Sequence, residues 1–389
     1  MVNNETNRLE EQRKKKKPSP VRRIAALLAV ALIVLAVAVF SSMADSNKFP
    51  ALRRYLMYGD SAQTQELYTY ASHPRNLYER LGEELLVVNP QGIRLLHKDG
   101  RALYELEVSM DAPGVSVGKT LAAVCDAQNG TVYVLDSTGL RWKHQSADGL
   151  LCYCARLNEN DYLAVTEQKN GYKASVSVYN SRGEVIFRFD SHDNYISDAV
   201  VTSGGTHLVV TALGESTGTF TTTFIVYDLA TAQRIGEYPV SDALAIELAL
   251  TGDRIVALCD ERLVITALDG TTKLNYAYGN EYLHNYALTG TDFCALLMSK
   301  YRSSNVCRLT TFSLDGETLA TLELTEEVLA MSAAGDRLAV LYGETLVLYD
   351  RALNEVARLE DTQHAGGVRM AEDGTALLIA ETSARRFLP

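Results

Sequence analysis

The stretch that decides the fold is TGDRIVALCDERLVITALDGTTKLNYAY, residues 251–278. Two short apolar runs, IVALC and LVITA, are separated by polar residues, and a third run follows the turn at Asp269-Gly270. Runs of this length that are rich in β-branched residues and bounded by Gly and Asp are typical of strands joined by tight turns. The same pattern returns from Ala334 as AGDRLAVLYGETLVLYDRALNEVARLE. The stretch is therefore one copy of a repeat.

The repeat fills most of the chain. Its copies, each quoted from the turn after a first strand, begin at Gly82, Gly118, Asn160, Gly204, Thr251, Gly290 and Ala334. The turn after the third strand recurs at intervals of roughly 35–47 residues, the range expected for four-stranded units. One such sheet cannot bury both of its faces, whereas sheets arranged around an axis cover one another. The sequence therefore predicts an all-β chain folded as a β-propeller.

Two pieces of the chain lie outside the seven copies. One is GGVRMAEDGTALLIAETSARRFLP, from Gly366, and the other is ELYTYA, Glu66–Ala71. Pairing the two pieces would complete an eighth blade and remove the open edge of the ring. We therefore favour eight blades over seven and assign residues 65–389 to the propeller.

A second feature is the apolar segment IAALLAVALIVLAVAVF, residues 24–40. With the three residues that follow, it reaches the ~20 residues that cross a bilayer as a helix. Residues 1–23 hold eight basic and three acidic residues, a net charge of +5 in a chain whose total is −11. Because basic flanks stay in the cytoplasm, we expect the N-terminus inside and the propeller outside the cell membrane. The predicted order is a cytoplasmic tail (1–23), a transmembrane helix (24–43), a stalk (44–64) and an extracytoplasmic propeller.

The alternative for this segment is a signal peptide that is cleaved after Ala44, since Ser42-Met43-Ala44 has the small-x-small pattern of a cleavage site. The long basic region before the segment and the length of the apolar run favour the uncleaved anchor. Both interpretations export the large domain. Topology alone accounts for the basic tail, so we do not expect it to bind nucleic acid.

The repeats resemble those of pyrroloquinoline-quinone-like and WD-type β-propellers. Together with the apolar segment, they resemble most closely a family of single-pass membrane proteins of Gram-positive bacteria with an extracytoplasmic propeller. The quinone enzymes carry a Trp in most blades, but Trp142 is the only Trp in this chain. The Gly-His and Trp-Asp marks of WD repeats are also missing. The resemblance therefore implies a fold and a location, and neither quinone binding nor dehydrogenase activity is carried over.

Motifs for catalysis are missing from the sequence. No HExxH, HxxxH, Cys-x-x-Cys, P-loop or GxSxG motif occurs, so we predict no metal, no cofactor and no catalytic residue. The densest polar cluster is Asp190-Ser191-His192-Asp193-Asn194-Tyr195, between two blades, and Asp361-Thr362-Gln363-His364 has the equivalent place later. Such clusters are typical of solvated turns. A cation site or a general acid–base pair is the alternative.

Tyrosine is common, with 21 copies, and four of them crowd the segment NYAYGNEYLHNY, residues 275–286. Tyr joins an apolar ring to a hydrogen-bonding hydroxyl, which suits a protein or sugar surface. The alternative is that these rings fill the space between sheets. The candidate binding residues are Tyr276, Tyr278, Tyr282, Tyr286, Asp190, His192, Asp193 and Tyr195.

Six cysteines follow the apolar segment. Cys125, Cys259 and Cys294 occupy apolar strand positions that a blade would bury as free thiols. The alternative is one or more disulfides, with Cys294 and Cys307 meeting across a hairpin. Cys152 and Cys154 are two residues apart and would share one face of a regular strand, which disfavours a bond between them.

These features favour a non-catalytic interaction scaffold or assembly factor of the cell envelope, whose partner is another envelope protein. A first alternative is a sensor of a ligand or glycan that signals through the membrane span. A second is a hydrolase or lyase of wall polymers, for which Asp190, Asp193 and Asp361 are the candidate carboxylates.

Overall fold

The computed structural model describes residues 64–216 and 218–389. The predicted tail, transmembrane helix and nearly all of the stalk lie outside the described residues. No helix among the described residues is long and apolar enough to span a membrane. The described residues form strands and one short 3-10 turn, Ala147–Gly149.

The strands form eight four-stranded antiparallel sheets, which are the blades of a propeller. The first strand of the described residues, β1 (Thr64–Thr69), belongs to the last blade. Blade 1 contains β2 (Leu77–Leu81), β3 (Glu84–Asn89), β4 (Gly92–Leu96) and β5 (Ala102–Glu107), and blade 2 contains β6 (Pro113–Val117), β7 (Ala122–Asp126), β8 (Thr131–Asp136) and β9 (Gly139–Gln145). Blade 3 contains β10 (Cys152–Leu157), β11 (Leu163–Glu167), β12 (Ala174–Tyr179) and β13 (Val185–Ser191), and blade 4 contains β14 (Tyr195–Val201), β15 (His207–Ser216), β16 (Thr219–Asp228) and β17 (Gln233–Ser241).

The second half of the ring repeats this arrangement. Blade 5 contains β18 (Ala245–Thr251), β19 (Arg254–Cys259), β20 (Arg262–Ala267) and β21 (Thr272–Ala277), and blade 6 contains β22 (Tyr282–Ala287), β23 (Phe293–Ser299), β24 (Cys307–Ser313) and β25 (Thr318–Leu324). Blade 7 contains β26 (Ala330–Ala334), β27 (Arg337–Leu341), β28 (Leu346–Asp350) and β29 (Glu355–Leu359). Blade 8 contains β30 (Gly367–Met370), β31 (Ala376–Ile379) and β32 (Ser383–Phe387), together with β1. The prediction of eight blades is confirmed.

The ring is closed by pairing its two ends. Strand β1 lies antiparallel to β32 and completes blade 8, as the sequence predicted. Tyr68 is 2% exposed, and its hydroxyl donates a hydrogen bond to the carbonyl oxygen of Glu83, in blade 1, at 2.5 Å. The hydroxyl of Tyr70 donates to the carbonyl oxygen of Ala380 at 2.8 Å. Because the last blade takes strands from both ends, the sheet edge that an open ring would expose is covered.

The hydrophobic core is divided among the contacts between blades. Eight clusters of buried side chains are present, and each joins two neighbouring blades, from the cluster of blades 1 and 2 around Leu86 to that of blades 8 and 1 around Tyr68. The middle strands are covered on both faces, so β7 and β23 are buried along their whole length. The outermost strands alternate between exposed and half-buried residues, as β21 does. Each blade is therefore stable only between its neighbours.

The antiparallel order gives the propeller two distinct faces. We call the face that carries the connections between blades and the loops between second and third strands the loop face. We call the opposite one, which carries the turns after the first and third strands, the turn face. On the turn face, Gly316 has a φ of +95°, and a Cβ there would lie 2.1 Å from the carbonyl oxygen of Lys273 in blade 5. Only glycine fits such a turn, because both the backbone angle and the space exclude a side chain.

The cysteines follow the prediction in part. All six are free thiols, and Cys125, Cys259 and Cys294 are buried as expected. The expected meeting of Cys294 with Cys307 is wrong, because the two side chains lie in clusters on opposite sides of blade 6.

The expectation that Cys152 and Cys154 share a face fails as well. A β-bulge between them interrupts the alternation of β10, and the two thiols contact different neighbours. Cys152 lies against Cys125, whereas Cys154 donates to Asp198.

Candidate interaction face

Exposed apolar side chains are concentrated on one side of the loop face. Six of the large exposed apolar residues lie in outermost strands: Leu103, Leu140, Val185, Ile186, Ile235 and Val356. The other eight lie on the loop face of blades 3–7: Tyr153, Tyr195, Phe220, Ile246, Tyr282, Tyr301, Val306 and Leu329. We call these eight the apolar arc. A cluster of exposed apolar residues on a soluble surface is typical of a site that another molecule covers.

Half of the apolar arc lies at the start of innermost strands. Tyr153, Tyr195, Ile246 and Tyr282 are the first or second residues of β10, β14, β18 and β22, the innermost strands of four consecutive blades. Phe220, Tyr301 and Val306 lie at the connections between second and third strands in blades 4 and 6. The arc therefore combines the starts of innermost strands with loops farther from the axis.

The same four blades differ from the others in backbone geometry. Each of their innermost strands has a β-bulge near its start, with Tyr153, Ser197, Ile246 and His284 as the unpaired residues. The innermost strands of blades 7, 8, 1 and 2 pair without a bulge. A bulge bends a strand and redirects its side chains, and bulges are common next to functional sites. Two of the bulge residues, Tyr153 and Ile246, are themselves members of the arc.

Two cations lie over tyrosine rings of the apolar arc. The Nζ atom of Lys173 lies 4.4 Å from the ring centroid of Tyr195 and donates to its hydroxyl at 3.1 Å. The guanidinium carbon of Arg302 lies 5.4 Å from the ring centroid of Tyr282. Neither cation has a carboxylate partner among the described residues. The arc therefore carries unpaired positive charge, although the chain as a whole is acidic.

The predicted polar cluster at residues 190–195 lies on the loop face, beside the arc. Asp190 accepts hydrogen bonds from Lys169 Nζ at 2.6 Å and from Ser175 Oγ at 2.8 Å. Burial alone would raise the pKa of Asp190, but these two hydrogen bonds and the positive charges of Lys169 and Arg188 together lower the pKa. The carboxylate is thus held as a charged structural group by its donors.

His192 and Asp193 of this cluster are more exposed than Asp190. The ring of His192 packs on that of Tyr172, with 4.3 Å between centroids, and Asp193 is exposed to solvent. At the later cluster, Asp361 accepts from the backbone N–H of Gln363, a local turn contact. The described residues contain no group of three or more His, Cys, Asp or Glu side chains arranged to hold a metal ion.

The four tyrosines of residues 275–286 are not brought together as one surface. Tyr276 packs on Phe312 in the cluster between blades 5 and 6, with 4.8 Å between centroids. Tyr278 is buried in the same cluster, and burial raises the pKa of its hydroxyl. Tyr282 is exposed in the apolar arc, whereas Tyr286 lines the channel. Only Tyr282 and Tyr195 of the candidate tyrosines therefore belong to the arc.

The central channel is a cavity of about 1080 Å³ that both polar and apolar side chains line. Glu79 and Arg369 form an ion pair at 3.2 Å. On the opposite side, Arg156 lies 3.9 Å from Asp198 and donates to the carbonyl oxygen of Leu248, two blades away, at 2.5 Å. These charged side chains of the innermost strands are paired with one another, which indicates a stabilised channel lining.

Two further groups of the channel are coupled. The hydroxyl of Tyr286 donates a short hydrogen bond to Glu247. Burial, together with that carboxylate, raises the pKa of Tyr286 to about 12. This pair lies in the part of the ring with bulged strands, because Glu247 directly follows the bulge residue Ile246.

Comparison with known proteins places the chain in a family. The model of a family of unknown function, DUF5711, matches residues 58–374. The chain belongs to the DUF5711 family. A search of the curated proteins finds no match by sequence.

Solved structures with a similar fold are β-propellers. This DUF5711 protein is similar to BamB from Moraxella catarrhalis, with 12% identity over 83% of this chain and 99% of that chain and a TM-score of 0.53. The computationally designed protein Ika8 has 12% identity over 83% of this chain and 99% of its own, with a TM-score of 0.58. The C-terminal WD40 domain of Sif2 has 13% identity over 84% and 98%, also with a TM-score of 0.58. At these identities the likeness shows the propeller fold alone.

Most residues of the arc were not predicted from the sequence. Ile246 lies within ALAIELAL, residues 243–250, a mostly apolar run in which nothing local marks this residue as exposed. Tyr301 and Phe220 are single aromatic residues in polar surroundings, and nothing local marks them. The available signal was positional, since an apolar residue at the start of a blade or in the connection after a second strand falls on the loop face.

Proposed function

We propose that this DUF5711 protein is a membrane-anchored, extracytoplasmic β-propeller that acts as a non-catalytic interaction scaffold or assembly factor in the cell envelope. The observation that carries the proposal is the apolar arc on the loop face of blades 3–7. Another envelope protein is the proposed occupant. The arc offers tyrosines, Phe220 and Ile246 on a rigid ring, and aromatic residues of this kind contribute much of the energy of protein interfaces.

The chemistry of the arc defines what the partner should present. Covering Phe220 and Ile246 requires apolar side chains. Lys173 and Arg302, which have no carboxylate partner among the described residues, favour acidic side chains beside them. We therefore expect an apolar segment flanked by Asp or Glu.

Two arguments support the location. The apolar run of residues 24–40 is long enough to span a bilayer with little addition, and the basic tail before it favours a cytoplasmic N-terminus. The propeller then lies outside, where a single span holds its loop and turn faces close to other envelope proteins. A scaffold needs only this position and a stable surface.

The arc offers a matched pair of residues for an experiment. Ile246 is 62% exposed on the loop face, and Ile235 is 53% exposed in the outermost strand of blade 4. A photo-crosslinking amino acid is placed at either position in the full-length protein in its own cells. We expect a defined protein adduct from position 246 that is missing from position 235.

The adduct should depend on the chemistry of the arc. Tyr301→Ala and Tyr282→Ala, made together, should lower the yield of the adduct at position 246 at least ~10-fold, as loss of two interface aromatic residues does. Equal adducts at positions 235 and 246, or no adduct at position 246, would contradict the proposal. An adduct between two copies of this chain would replace it with self-association.

The location has a separate test. Ile235 is 53% exposed in an outermost strand outside the apolar arc, so an Ile235→Cys variant presents an accessible thiol, while the natural cysteines are buried or half-buried. A membrane-impermeant maleimide should label this variant in intact cells well above the unmodified protein. Labelling only after the cells are opened would place the propeller in the cytoplasm and refute the extracytoplasmic location.

A further inference from the structure

Two cysteines of neighbouring blades lie in direct contact. Cys125 is in β7 of blade 2 and Cys152 is in β10 of blade 3. Their Sγ atoms are 2.9 Å apart, closer than van der Waals contact between two sulfur atoms. The bond length of a disulfide is ~2.05 Å, so the sulfurs need to approach by only about 0.9 Å. We propose that Cys125 and Cys152 are a disulfide site that links blades 2 and 3 when a disulfide oxidant is available.

The backbone holds the two cysteines in this arrangement. The backbone N–H of Cys152 donates to the carbonyl oxygen of Ala127, two residues after Cys125, at 3.0 Å. Asp126, between them, is buried and accepts from the N–H of Ala112 at 3.1 Å. The position of β10 beside the end of β7 is therefore fixed by hydrogen bonds that do not involve the sulfurs.

The other thiols lack such a partner. The Cys154 thiol donates to Asp198 at 3.0 Å. The bulge at Tyr153 gives Cys154 a different orientation from Cys152, so its sulfur does not take the place of Cys152 beside Cys125. Cys259, Cys294 and Cys307 lie in three different clusters between blades. Selective pairing of Cys125 with Cys152 follows from the contacts alone.

Burial determines when the bond can form. Cys152 is completely buried, and both the hydrogen bond with Cys125 and burial raise the pKa of the Cys152 thiol. A thiol held in the protonated form is a poor nucleophile. The bond therefore forms while blades 2 and 3 are still apart, during folding or a local opening, and is then protected from reductants by the closed interface.

The reaction is a thiol–disulfide exchange with a small-molecule disulfide such as oxidised glutathione. The thiolate of Cys152 attacks one sulfur of the oxidant, and its S–S bond breaks to release one thiolate. The thiolate of Cys125 then attacks the Cys152 sulfur of the mixed disulfide and releases the second thiolate. The two protons of the cysteines pass to the released thiolates. The protein loses two electrons, and the oxidant is reduced to two thiols.

The deciding experiment counts thiols in the full-length protein. The purified protein in detergent is equilibrated with oxidised glutathione in enough urea to open the contact between blades 2 and 3, and is returned to buffer without urea. It is then denatured and alkylated before and after reduction. With six cysteines in the chain, we expect four alkylated thiols before reduction and six after. The variant Cys125→Ala should give five in both states, and Cys152→Ala should do the same. The control Cys294→Ala, a buried thiol without a sulfur partner, should give three before reduction and five after.

Peptide mapping identifies the bond. Cleavage after Tyr153 separates Cys152 from Cys154, so a linked peptide that joins the Cys125 segment to one ending at Tyr153 supports the assignment. The protein that carries the bond should melt about 5 °C above protein taken through the same steps without the oxidant, as expected for a loop of this length, and Cys125→Ala should show no such difference. Six alkylated thiols after oxidation, or a link through Cys154, would overturn the proposal.

The site is independent of the proposed function. The oxidant is added to the purified protein, so a failure to form the bond refutes the disulfide site. Such a failure does not bear on the proposed scaffold function or on the extracytoplasmic location. The thiol count of protein alkylated directly in cells reports instead whether the compartment supplies an oxidant.

Discussion

Closure of the ring by β1 should contribute several kcal/mol to stability, and Tyr68→Ala tests this contribution. The Tyr68 side chain is 2% exposed and packs with Leu85 and Leu377, from blades 1 and 8, in the cluster that joins those blades. Truncating a buried aromatic residue to Ala costs about 3–5 kcal/mol. Loss of the hydrogen bond to the carbonyl oxygen of Glu83 accounts for roughly 1 kcal/mol of this cost.

The change in melting temperature follows from the size of the propeller. At an unfolding entropy of about 2.1 cal/mol/K per residue, a domain of this length has an entropy of roughly 0.7 kcal/mol/K. A loss of about 4 kcal/mol therefore lowers the melting temperature by about 6 °C. The conservative variant Tyr68→Phe, which keeps the ring and loses only the hydroxyl, should lower it by about 1–2 °C.

The assay is thermal unfolding of the full-length protein in detergent, followed by circular dichroism in the β-sheet region. Tyr301→Ala is the control, because that side chain is 71% exposed and its truncation should change the melting temperature by less than about 1 °C. If Tyr68→Ala melts within about 1 °C of this control, closure by β1 does not stabilise the ring and the reasoning is wrong.

Three further predictions concern other parts of the ring. The Glu167 carboxylate accepts hydrogen bonds from His144 at 2.9 Å and from Ser146 at 2.6 Å. Burial alone would raise the pKa of Glu167, but the interactions with these donors lower the pKa overall. The ionised Glu167 therefore stabilises the folded state above the pKa of the unfolded chain, and this stabilisation is lost as the pH falls through the lower pKa of the folded state. The melting-temperature difference between wild type and Glu167→Gln should shrink between about pH 6 and pH 3. A constant difference would contradict this prediction. Gly316→Ala should cost at least about 1 kcal/mol more than Gly279→Ala in chemical denaturation, because both have positive φ but only Gly316 meets backbone; equal costs would exclude the clash. Arg156→Met should destabilise by about 2 kcal/mol, because Asp198 loses its cation and the carbonyl oxygen of Leu248 loses a donor. Adding Asp198→Asn should recover the part of that loss that comes from the charge in a denaturation double-mutant cycle, whereas additive losses would rule out the coupling.

The strands and their grouping into blades could be predicted from the sequence, because each strand pairs mainly with the strand next to it in the chain. The alternation of apolar runs with Gly and Asp turns, as in residues 251–278, reports which segments pair with their neighbours. Even the long-range pairing of β1 with β32 could be predicted, since two incomplete pieces at opposite ends have only each other to complete a blade. Hairpin pairing and the need to cover an edge are strong constraints, and both can be recognised from a repeat.

The candidate site could be predicted from the sequence only in part. Tyr195 and Tyr282 were among the predicted binding residues and lie in the apolar arc, but Tyr276 and Tyr278 of the same segment pack between blades. Whether a tyrosine of this segment faces solvent or a neighbouring blade depends on which strand of the blade it occupies. The sequence does not distinguish a ring that packs on Phe312 from a ring that lies under Arg302.

The sequence by itself determined the all-β class, the four-stranded repeat, the eight blades and the closure of the ring, because each depends on contacts between adjacent segments or on the two ends. The tertiary structure decided the rest. Four bulged innermost strands turn residues such as Ile246 toward the loop face, and the ring brings Arg156 to the carbonyl of Leu248 and Cys125 to Cys152. These contacts join side chains of different blades, whose distances depend on the curvature of the whole ring, and no local pattern in the chain encodes that curvature.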